Sequence, residues 1–297
     1  MMLGVELQDA RAVAVSLDSA GQVLARAAVD SPVDLTAAAH TALQQVTTGS
    51  PAGAALGVAS AMPESPALAP VLKALAERYP GPYGEFGAAP AGTAAAVAEA
   101  WIGAGRGIQD LVYFAVGEHT TAGIIRGGAP LTGARGRAAS VGWLALNPVE
   151  REDYRRMGCL EAEVAAAGIV RRLIWRIKSG DRSRIQEAVD NDLSRITIDH
   201  VLDAARQRDG VSISVVRDTA KYVGMAAANL VVIADPEMLV LGGIMGSAGD
   251  LLLEPLRTEI ARRLPRATMD ALTIVPSALG DEAAAVGAAR LAAAALQ

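Results

Sequence analysis

Residues 117–123 (GEHTTAG) separate two apolar runs, LVYFAV (111–116) and GIIRGG (123–128). A turn at such a place can bind a phosphate through bare backbone N–H groups, and it then favours glycine, which lets the backbone approach an anion closely. This turn instead carries Glu118 and His119. One like-charge contact at about 4 Å costs on the order of 4 kcal/mol at an effective dielectric near 20. The sequence therefore predicts a turn that forms but does not bind phosphate.

Two glycines at the end of another apolar run are a second candidate site. MLVLGG (238–243) predicts a strand that ends in Gly242 and Gly243. Glycines at the C-terminal end of a strand in a β/α unit allow a ligand to approach the backbone closely. The same glycines can serve the packing of the strand and the helix that follows. A nucleotide or purine-like ligand and a purely structural role both stay open.

Composition excludes several classes of protein. The chain has 297 residues, of which 52% are hydrophobic and 20% charged, as is typical of a compact globule of one large or two medium domains. A net charge of −5 offers no electrostatic reason to expect a nucleic-acid partner. The single cysteine, Cys159, excludes an internal disulfide framework. Residues 1–10 lack the pattern of a signal peptide, and the sequence predicts a cytoplasmic protein without membrane contact.

Hydrophobic periodicity predicts two successive blocks of one plan. The first block has strands at 3–7, 11–17, 22–29 and 54–60 and helices at 34–48, 64–79 and 92–103. The second has strands at 111–116, 123–128, near Leu144, at 238–243 and 272–277, with helices at 159–178, 183–207, 214–234, 251–264 and 281–295. This indicates a duplicated α/β architecture with a cleft between the halves. We expect lobes at 1–108 and 109–297, with the last helix able to pack back on the N-terminal lobe.

Several segments resemble the ROK family, which gathers repressors, open reading frames and sugar kinases. They are NLVVIADPEMLVLGGIMGSAGDLLLEPLRTEIARR (229–263), IVPSALGDEAAAVGAARLA (274–292), GAPLTGARGRAASVG (128–142), MGCLE (157–161) and AEAWIGAGRG (98–107). The resemblance implies an α/β, two-lobed fold of the actin-like ATPase or ribonuclease H-like (hexokinase) type, closing over ATP and a sugar.

The resemblance also locates the residues that a sugar kinase would need. Phosphoryl transfer requires a base at the sugar hydroxyl, a cradle for the phosphates and a carboxylate that helps to hold Mg²⁺. The Asn-Asp pair of the family, which carries the base, falls on Pro90 and Ala91. The nearest carboxylates, Glu85 and Glu99, lie six residues upstream and two helical turns downstream of it. Loss of a positioned base costs about 10²–10⁴-fold, so we expect no catalytic residue.

Both phosphate loops depart from the family pattern. Asp-x-Gly-Gly-Thr of the first hairpin is here Glu6-Leu7-Gln8-Asp9-Ala10, which keeps an acid and loses both glycines. Asp9 would place a negative charge beside phosphates, and the alternative is an ordinary solvated turn. Gly117 and Gly123 persist in the second hairpin. The resemblance therefore assigns Glu6, Gly117, Gly242 and Gly243 to the nucleotide side. We expect no cofactor, with ATP and Mg²⁺ as the alternative.

The sugar side of the family site is partly kept. The family motif Gly-Glu-(Ile/Leu)-Gly-His aligns with Ala139-Ser140-Val141-Gly142-Trp143, so its two polar groups are absent. Glu161 matches the remaining sugar-binding glutamate. Trp143 could stack on a sugar or another flat ligand, or be a core or interface tryptophan. We predict that Glu161, Trp143, His119 and Ser140 bind the ligand.

The family's zinc site is predicted to be absent. The family uses the histidine that is Trp143 here, together with three cysteines whose positions hold Glu152, Tyr154 and Cys159. One thiol cannot complete a tetrahedral site with nitrogen and sulfur ligands. Cys159 is then most simply a buried small hydrophobic residue, and we expect no metal.

These observations predict a divergent, catalytically inactive member of the family that binds a sugar-like small molecule or regulates, as a homodimer. Family repressors carry a winged helix-turn-helix before the first strand, and a first strand that begins by Leu3 leaves no room for one. The basic helix at 171–184 is read as a surface or dimer-facing helix, with DNA binding as a lesser alternative. A sugar kinase of the glucokinase type, with Glu6, Asp9 or Glu118 holding metal in a rearranged site, is one alternative. A protein-interaction module with an occluded cleft is another.

Overall fold

The first sheet starts as a meander of strands whose buried residues are almost all aliphatic. The computed structural model describes residues 1–47, 54–79 and 87–295. Strands β1 (Met2–Leu7), β2 (Arg11–Leu17) and β3 (Val23–Asp30) pair antiparallel, and β4 (Ala55–Ser60) and the short β5 (Ala89–Pro90) continue the sheet in parallel, in the order β3-β2-β1-β4-β5. Helix α1 (Leu35–Val46) packs on the meander, and its N-terminus is capped by Asp34, which accepts from the Ala37 N–H. Helix α2 (Leu68–Arg78) follows.

The second sheet repeats this plan. Strands β6 (Leu111–Val116) and β7 (Thr120–Arg126) form an antiparallel hairpin, to which the short β8 (Ala129–Pro130) adds. Strands β9 (Met238–Gly243) and β10 (Thr273–Pro276) join in parallel on the other side, giving the order β10-β9-β6-β7-β8. Each half therefore presents one hairpin turn at the end of its first two strands.

Most of the helices in the described ranges follow the second hairpin. They are α4 (Glu152–Met157), α5 (Cys159–Val164), α6 (Ala166–Lys178), α7 (Ile185–Ala188), α8 (Ile198–Arg206), α9 (Gly210–Ala234), α10 (Ile244–Ser247), α11 (Gly249–Ala261) and α12 (Arg266–Ala271). The strand predicted near Leu144 is wrong, because Val141–Trp143 form a 3₁₀ turn there. The helix predicted at 183–207 is divided, since Asp190 and Asn191 have left-handed backbone conformations that a helix cannot include.

Two alanine-rich helices lie between the sheets. Helix α3 (Ala91–Trp101) packs on β6 and β7, whereas the last helix, α13 (Ala283–Ala294), packs on β1 and β4. The contacts are backbone to backbone: a Cβ on Gly57 would lie 1.9 Å from the Ala288 carbonyl oxygen, and one on Gly287 would lie 1.7 Å from that of Ala94. Each half thus supplies a helix to the sheet of the other, and the boundary at residue 108 stays a prediction.

Among the residues that the structure describes, no helix combines the length and apolar character needed to cross a membrane.

Candidate functional site

The two hairpin turns meet each other through a pair of charged side chains. The β1–β2 turn carries Asp9, and the β6–β7 turn carries His119. The Nε2 atom of His119 lies 3.1 Å from Asp9 Oδ1 and 3.2 Å from Oδ2. Asp9 was expected either to repel phosphate or to lie in a solvated turn. Its side chain is two-thirds exposed, but it is also the partner of His119.

Glu161, in the first turn of α5, completes this contact from the other side of the imidazole. Its Oε1 atom lies 2.7 Å from His119 Nδ1. Its Oε2 atom accepts the Thr120 N–H at 2.7 Å and also the Thr120 hydroxyl. The Glu161 side chain is only 13% exposed. We call this arrangement the Asp9–His119–Glu161 bridge.

The bridge holds its histidine in the charged form. The hydrogen bond to Glu161 raises the pKa of His119 to about 9, with Asp9 adding to the effect and partial burial opposing it. Both ring nitrogens then carry protons and donate to carboxylates. At neutral pH the bridge is therefore one cation between two anions, and it connects the turns of the two sheets.

Glu6, assigned to the nucleotide side, has a raised pKa in this fold. Burial raises its pKa to about 7, and the charges of Asp281 and Glu118 add to this, whereas a hydrogen bond from the Gln8 amide at 3.1 Å opposes it. A bound cation would lower this pKa, because it favours the ionised carboxylate, so the assignment of Glu6 to the nucleotide side stays a prediction.

Replacing Glu6 by Gln is expected to stabilise the protein at alkaline pH. Between about pH 4.5 and about pH 7 the folded state holds a proton on Glu6 that the unfolded state has lost, so the wild type loses stability as pH rises through this window. Glu6→Gln removes that loss. We expect a gain of about 2–3 kcal/mol at pH 8 and none at pH 4, measured by urea unfolding. An equal effect at both values would contradict this explanation.

Part of the backbone of both turns is already hydrogen-bonded within the chain. The Gly117 N–H donates to the His119 carbonyl at 3.0 Å, and the Thr120 N–H is engaged by Glu161. In the first turn the Gln8 N–H donates to the Arg11 carbonyl at 2.9 Å. These three amides are engaged within the chain and are therefore not free to bind a phosphate, whose binding site would need free N–H donors.

Packing explains the pair of glycines that ends β9. A Cβ on Gly242 would lie 2.1 Å from the Tyr113 hydroxyl, and one on Gly243 would lie 2.0 Å from the Val116 carbonyl oxygen. Gly243 also has a φ of +60°, which favours glycine. The contact between β9 and β6 therefore accounts for both residues, and their contact with a nucleotide stays a prediction.

The position of the family's base is apolar. Ala91, the first residue of α3, is buried in a cluster with Ala59 and Tyr113. Glu99 is fully buried, and its two oxygens accept the Ala104 N–H at 2.7 Å, the Leu279 N–H at 3.1 Å and the Ser277 hydroxyl. Glu99 is thus a structural acceptor without a free oxygen. Glu85 lies outside the described residues.

The 3₁₀ turn that carries Trp143 lies against the bridge. A Cβ on Gly142 would be 3.1 Å from Thr120 Oγ1 and 3.4 Å from Glu161. Trp143 is 60% exposed, so the alternative of a core tryptophan is wrong. Ser140 is exposed, and its hydroxyl donates to the Arg137 carbonyl at 2.8 Å.

The residues at the family's zinc positions pack without a metal-binding arrangement. Tyr154 and Cys159 form a small apolar cluster with Leu146 and Ala162. The Tyr154 hydroxyl donates to Glu163. The described part of the chain contains no group of three histidine, cysteine, aspartate or glutamate side chains placed to hold a metal ion. This donor set does not fit zinc.

The contact between Asp9 and His119 was not predicted from the sequence, and Thr120 had no predicted role with Glu161. A signal was present in the two glycine loops. One loop has gained an anion and the other a histidine, and the fold places these two turns opposite each other. A pair of opposite charges introduced at matching turns is a reason to expect an ion pair.

Comparison with known proteins places the chain among relatives of two kinds. It matches the sequence profile of the ROK family over residues 67–295. It is 33% identical over 197 residues to a glucokinase of Halalkalibacterium halodurans, covering 65% of this chain and 59% of that protein. It is 34% identical over 202 residues to the xylose repressor of Caldicellulosiruptor bescii, covering 65% of this chain and 48% of that protein. The chain thus matches less than two thirds of the length of either relative.

Solved structures confirm the predicted fold. A ROK family glucokinase from Streptomyces griseus in complex with glucose and AMPPNP superposes with a TM-score of 0.77 at 24% identity, covering 99% of each chain. A ROK family transcriptional regulator, a homologue of the Escherichia coli MLC protein, superposes with a TM-score of 0.76 at 20% identity, covering 99% of this chain and 78% of that one. The fold is therefore the two-lobed, actin-like ATPase type of α/β fold. Because the family profile also covers most of its length, the chain is a member of the ROK family.

Proposed function

We propose that this ROK protein does not phosphorylate sugars and instead acts as a sensor or regulator that binds a sugar-like small molecule. The observation that carries the proposal is the Asp9–His119–Glu161 bridge. It places a charged network between the two turns that would have to bind phosphates, and it uses their hydrogen-bonding groups. The apolar surroundings of Ala91, where the family has its base, support the same conclusion.

Glu161 and Trp143 are the proposed ligand contacts. His119 and Thr120 together use three of the about four acceptor sites of the Glu161 carboxylate, and a sugar hydroxyl can donate to the remaining one, on Oε1. The exposed ring of Trp143, on the adjacent turn, offers a flat apolar surface to the same ligand. We propose a cytoplasmic homodimer without a nucleic-acid partner.

The first alternative is an ATP-dependent sugar kinase. It is favoured by the glucokinase relatives and by an acid at position 6, the place of the family's first aspartate. Without a positioned base its rate would be about 10²–10⁴-fold lower than with one. The second alternative is a protein-interaction module that binds no small molecule, because the bridge itself closes its cleft.

Thermal unfolding with a panel of sugars, sugar phosphates and nucleotides with Mg²⁺ distinguishes these functions. A ligand at a hundred times its Kd stabilises by about 2.7 kcal/mol. We expect a shift with one sugar or sugar phosphate, no shift with ATP–Mg²⁺, and no sugar-dependent release of ADP.

The matched control pair for this experiment is Glu161→Gln and Glu254→Gln. Both remove one negative charge, but Glu254 lies exposed on α11, away from the bridge. Only Glu161→Gln should abolish the sugar-dependent shift. Sugar-dependent ADP release by the wild type would refute the proposal, and no shift with any compound would favour the interaction module.

A further inference from the structure

A second concave site lies away from the bridge, on the other side of α5. It is a cavity of about 500 Å³ between α6, α9 and the chain segments before α4 and after α11. Its volume is in the range of small-molecule pockets, about 300–1,000 Å³. Glu161 and Glu163 lie two residues apart on α5, but Glu161 joins the bridge whereas Glu163 lines this cavity. The two sites therefore use different side chains.

Four basic side chains from four parts of the chain converge on the cavity. They are Arg151, Arg172, Lys221 and Arg263. Tyr222 and Met225 supply the less polar part of the wall. The Arg172 guanidinium lies over the Tyr222 ring at 5.6 Å, which holds it in place.

The acids around the cavity are too few to neutralise these cations. Glu163, which is buried, serves both Arg151 at 3.2 Å and Arg172 at 2.6 Å. The four lining cations face two lining carboxylates, Glu163 and Asp218. When the further ion-pair partners of these residues are included, the network holds six cations and four carboxylates, which is an excess of two positive charges. The cations are Arg151, Arg171, Arg172, Lys221, Arg262 and Arg263, and the carboxylates are Asp153, Glu163, Asp218 and Glu259.

We propose that this cavity binds a small phosphate monoester as a second ligand of the protein. A phosphate monoester is a dianion that matches the local excess charge, on a chain whose net charge is −5. Arginine presents a planar fork of N–H donors that suits phosphate oxygens. Lys221 is half-exposed, pairs with Asp218 at 3.0 Å and supplies a further positive charge. The Tyr222 and Met225 side of the wall faces the organic part of the ester.

Calorimetric titration tests this site with glucose 6-phosphate, glycerol phosphate, inorganic phosphate and succinate as probes, all at one constant ionic strength. We expect saturable binding of at least one phosphate ester. Lys221→Gln should weaken it about tenfold, the effect of one charge-assisted hydrogen bond. Arg266→Gln is the matched control, because Arg266 is almost fully exposed on α12 and does not line the cavity.

Each other outcome overturns the assignment. Binding of succinate but of no phosphate compound would replace phosphate by carboxylate as the ligand. Binding that Lys221→Gln and Arg266→Gln weaken equally would place the ester elsewhere on the surface. Binding that Glu161→Gln abolishes would assign the ester to the bridge region. This variant therefore distinguishes a failure of the second site from a failure of the proposed function. No saturable binding of any phosphate probe would refute the site.

Discussion

The variant His119→Gln is expected to be about 2 kcal/mol less stable than the wild type at pH 7 and nearly as stable as the wild type at pH 10. The bridge raises the pKa of His119 to about 9 from 6.5, so folding is favoured by protonation. This contribution is complete below about pH 6.5 and is lost as pH rises through about 9. Glutamine keeps hydrogen-bonding groups but carries no charge, so it lacks the pH-dependent part.

Urea unfolding of both proteins at pH 6, 7, 9 and 10 measures this difference. Asp9→Asn is the companion variant. Because the Asp9 side chain is 67% exposed whereas that of Glu161 is 13% exposed, Asp9→Asn should lower the free energy of unfolding by only a few tenths of a kcal/mol. A deficit of His119→Gln that stays constant from pH 6 to pH 10 would show that His119 acts through packing and not through its charge.

Glu99→Ala is expected to lower the free energy of unfolding by about 3 kcal/mol. Glu99 is completely buried at the end of α3 and accepts hydrogen bonds from the Ala104 N–H, the Leu279 N–H and the Ser277 hydroxyl. Truncation leaves these partly buried donors without their acceptor, and each unsatisfied buried group costs about 1–3 kcal/mol. It also opens a cavity between α3 and the segment before α13.

Chemical denaturation of three variants checks this prediction. Glu99→Gln should cost less than Glu99→Ala, because its amide oxygen still accepts, although its NH₂ group meets donors. Glu254→Ala, on the exposed face of α11, should change the free energy of unfolding by no more than about 0.5 kcal/mol. If Glu99→Ala resembled Glu254→Ala, Glu99 would have no structural role.

Much of the fold is readable from local patterns. Runs such as LVYFAV and MLVLGG are apolar over the length of a strand, and β6 and β9 begin and end where these patterns place them. Hydrophobic periodicity led to wrong predictions at two places where the local backbone conformation interrupts the predicted element. Asp190 and Asn191 interrupt the helix predicted at 183–207, and the segment before Leu144 closes as a 3₁₀ turn that packs against Glu161.

The candidate site was predicted only in its separate parts. Glu161 and His119 were both proposed as ligand contacts, but their hydrogen bond spans 42 residues, and that of His119 to Asp9 spans 110. No local pattern carries such a pairing. Asp9 was assigned only to a turn, and Thr120 was given no role with Glu161. The raised pKa of Glu6 was equally out of reach, because it depends on burial beside Asp281 and Glu118.

By itself the sequence determined which groups are present: no carboxylate at position 91, Asp9 and His119 in place of loop glycines, and one thiol. These are covalent facts that no folding can change. Only the tertiary structure decided what the remaining groups do. It joined Asp9, His119 and Glu161 across the two sheets and enclosed Glu99 among its donors. The physical reason is that charge and hydrogen-bond energies depend on distance and burial, which are set when the halves pack against each other.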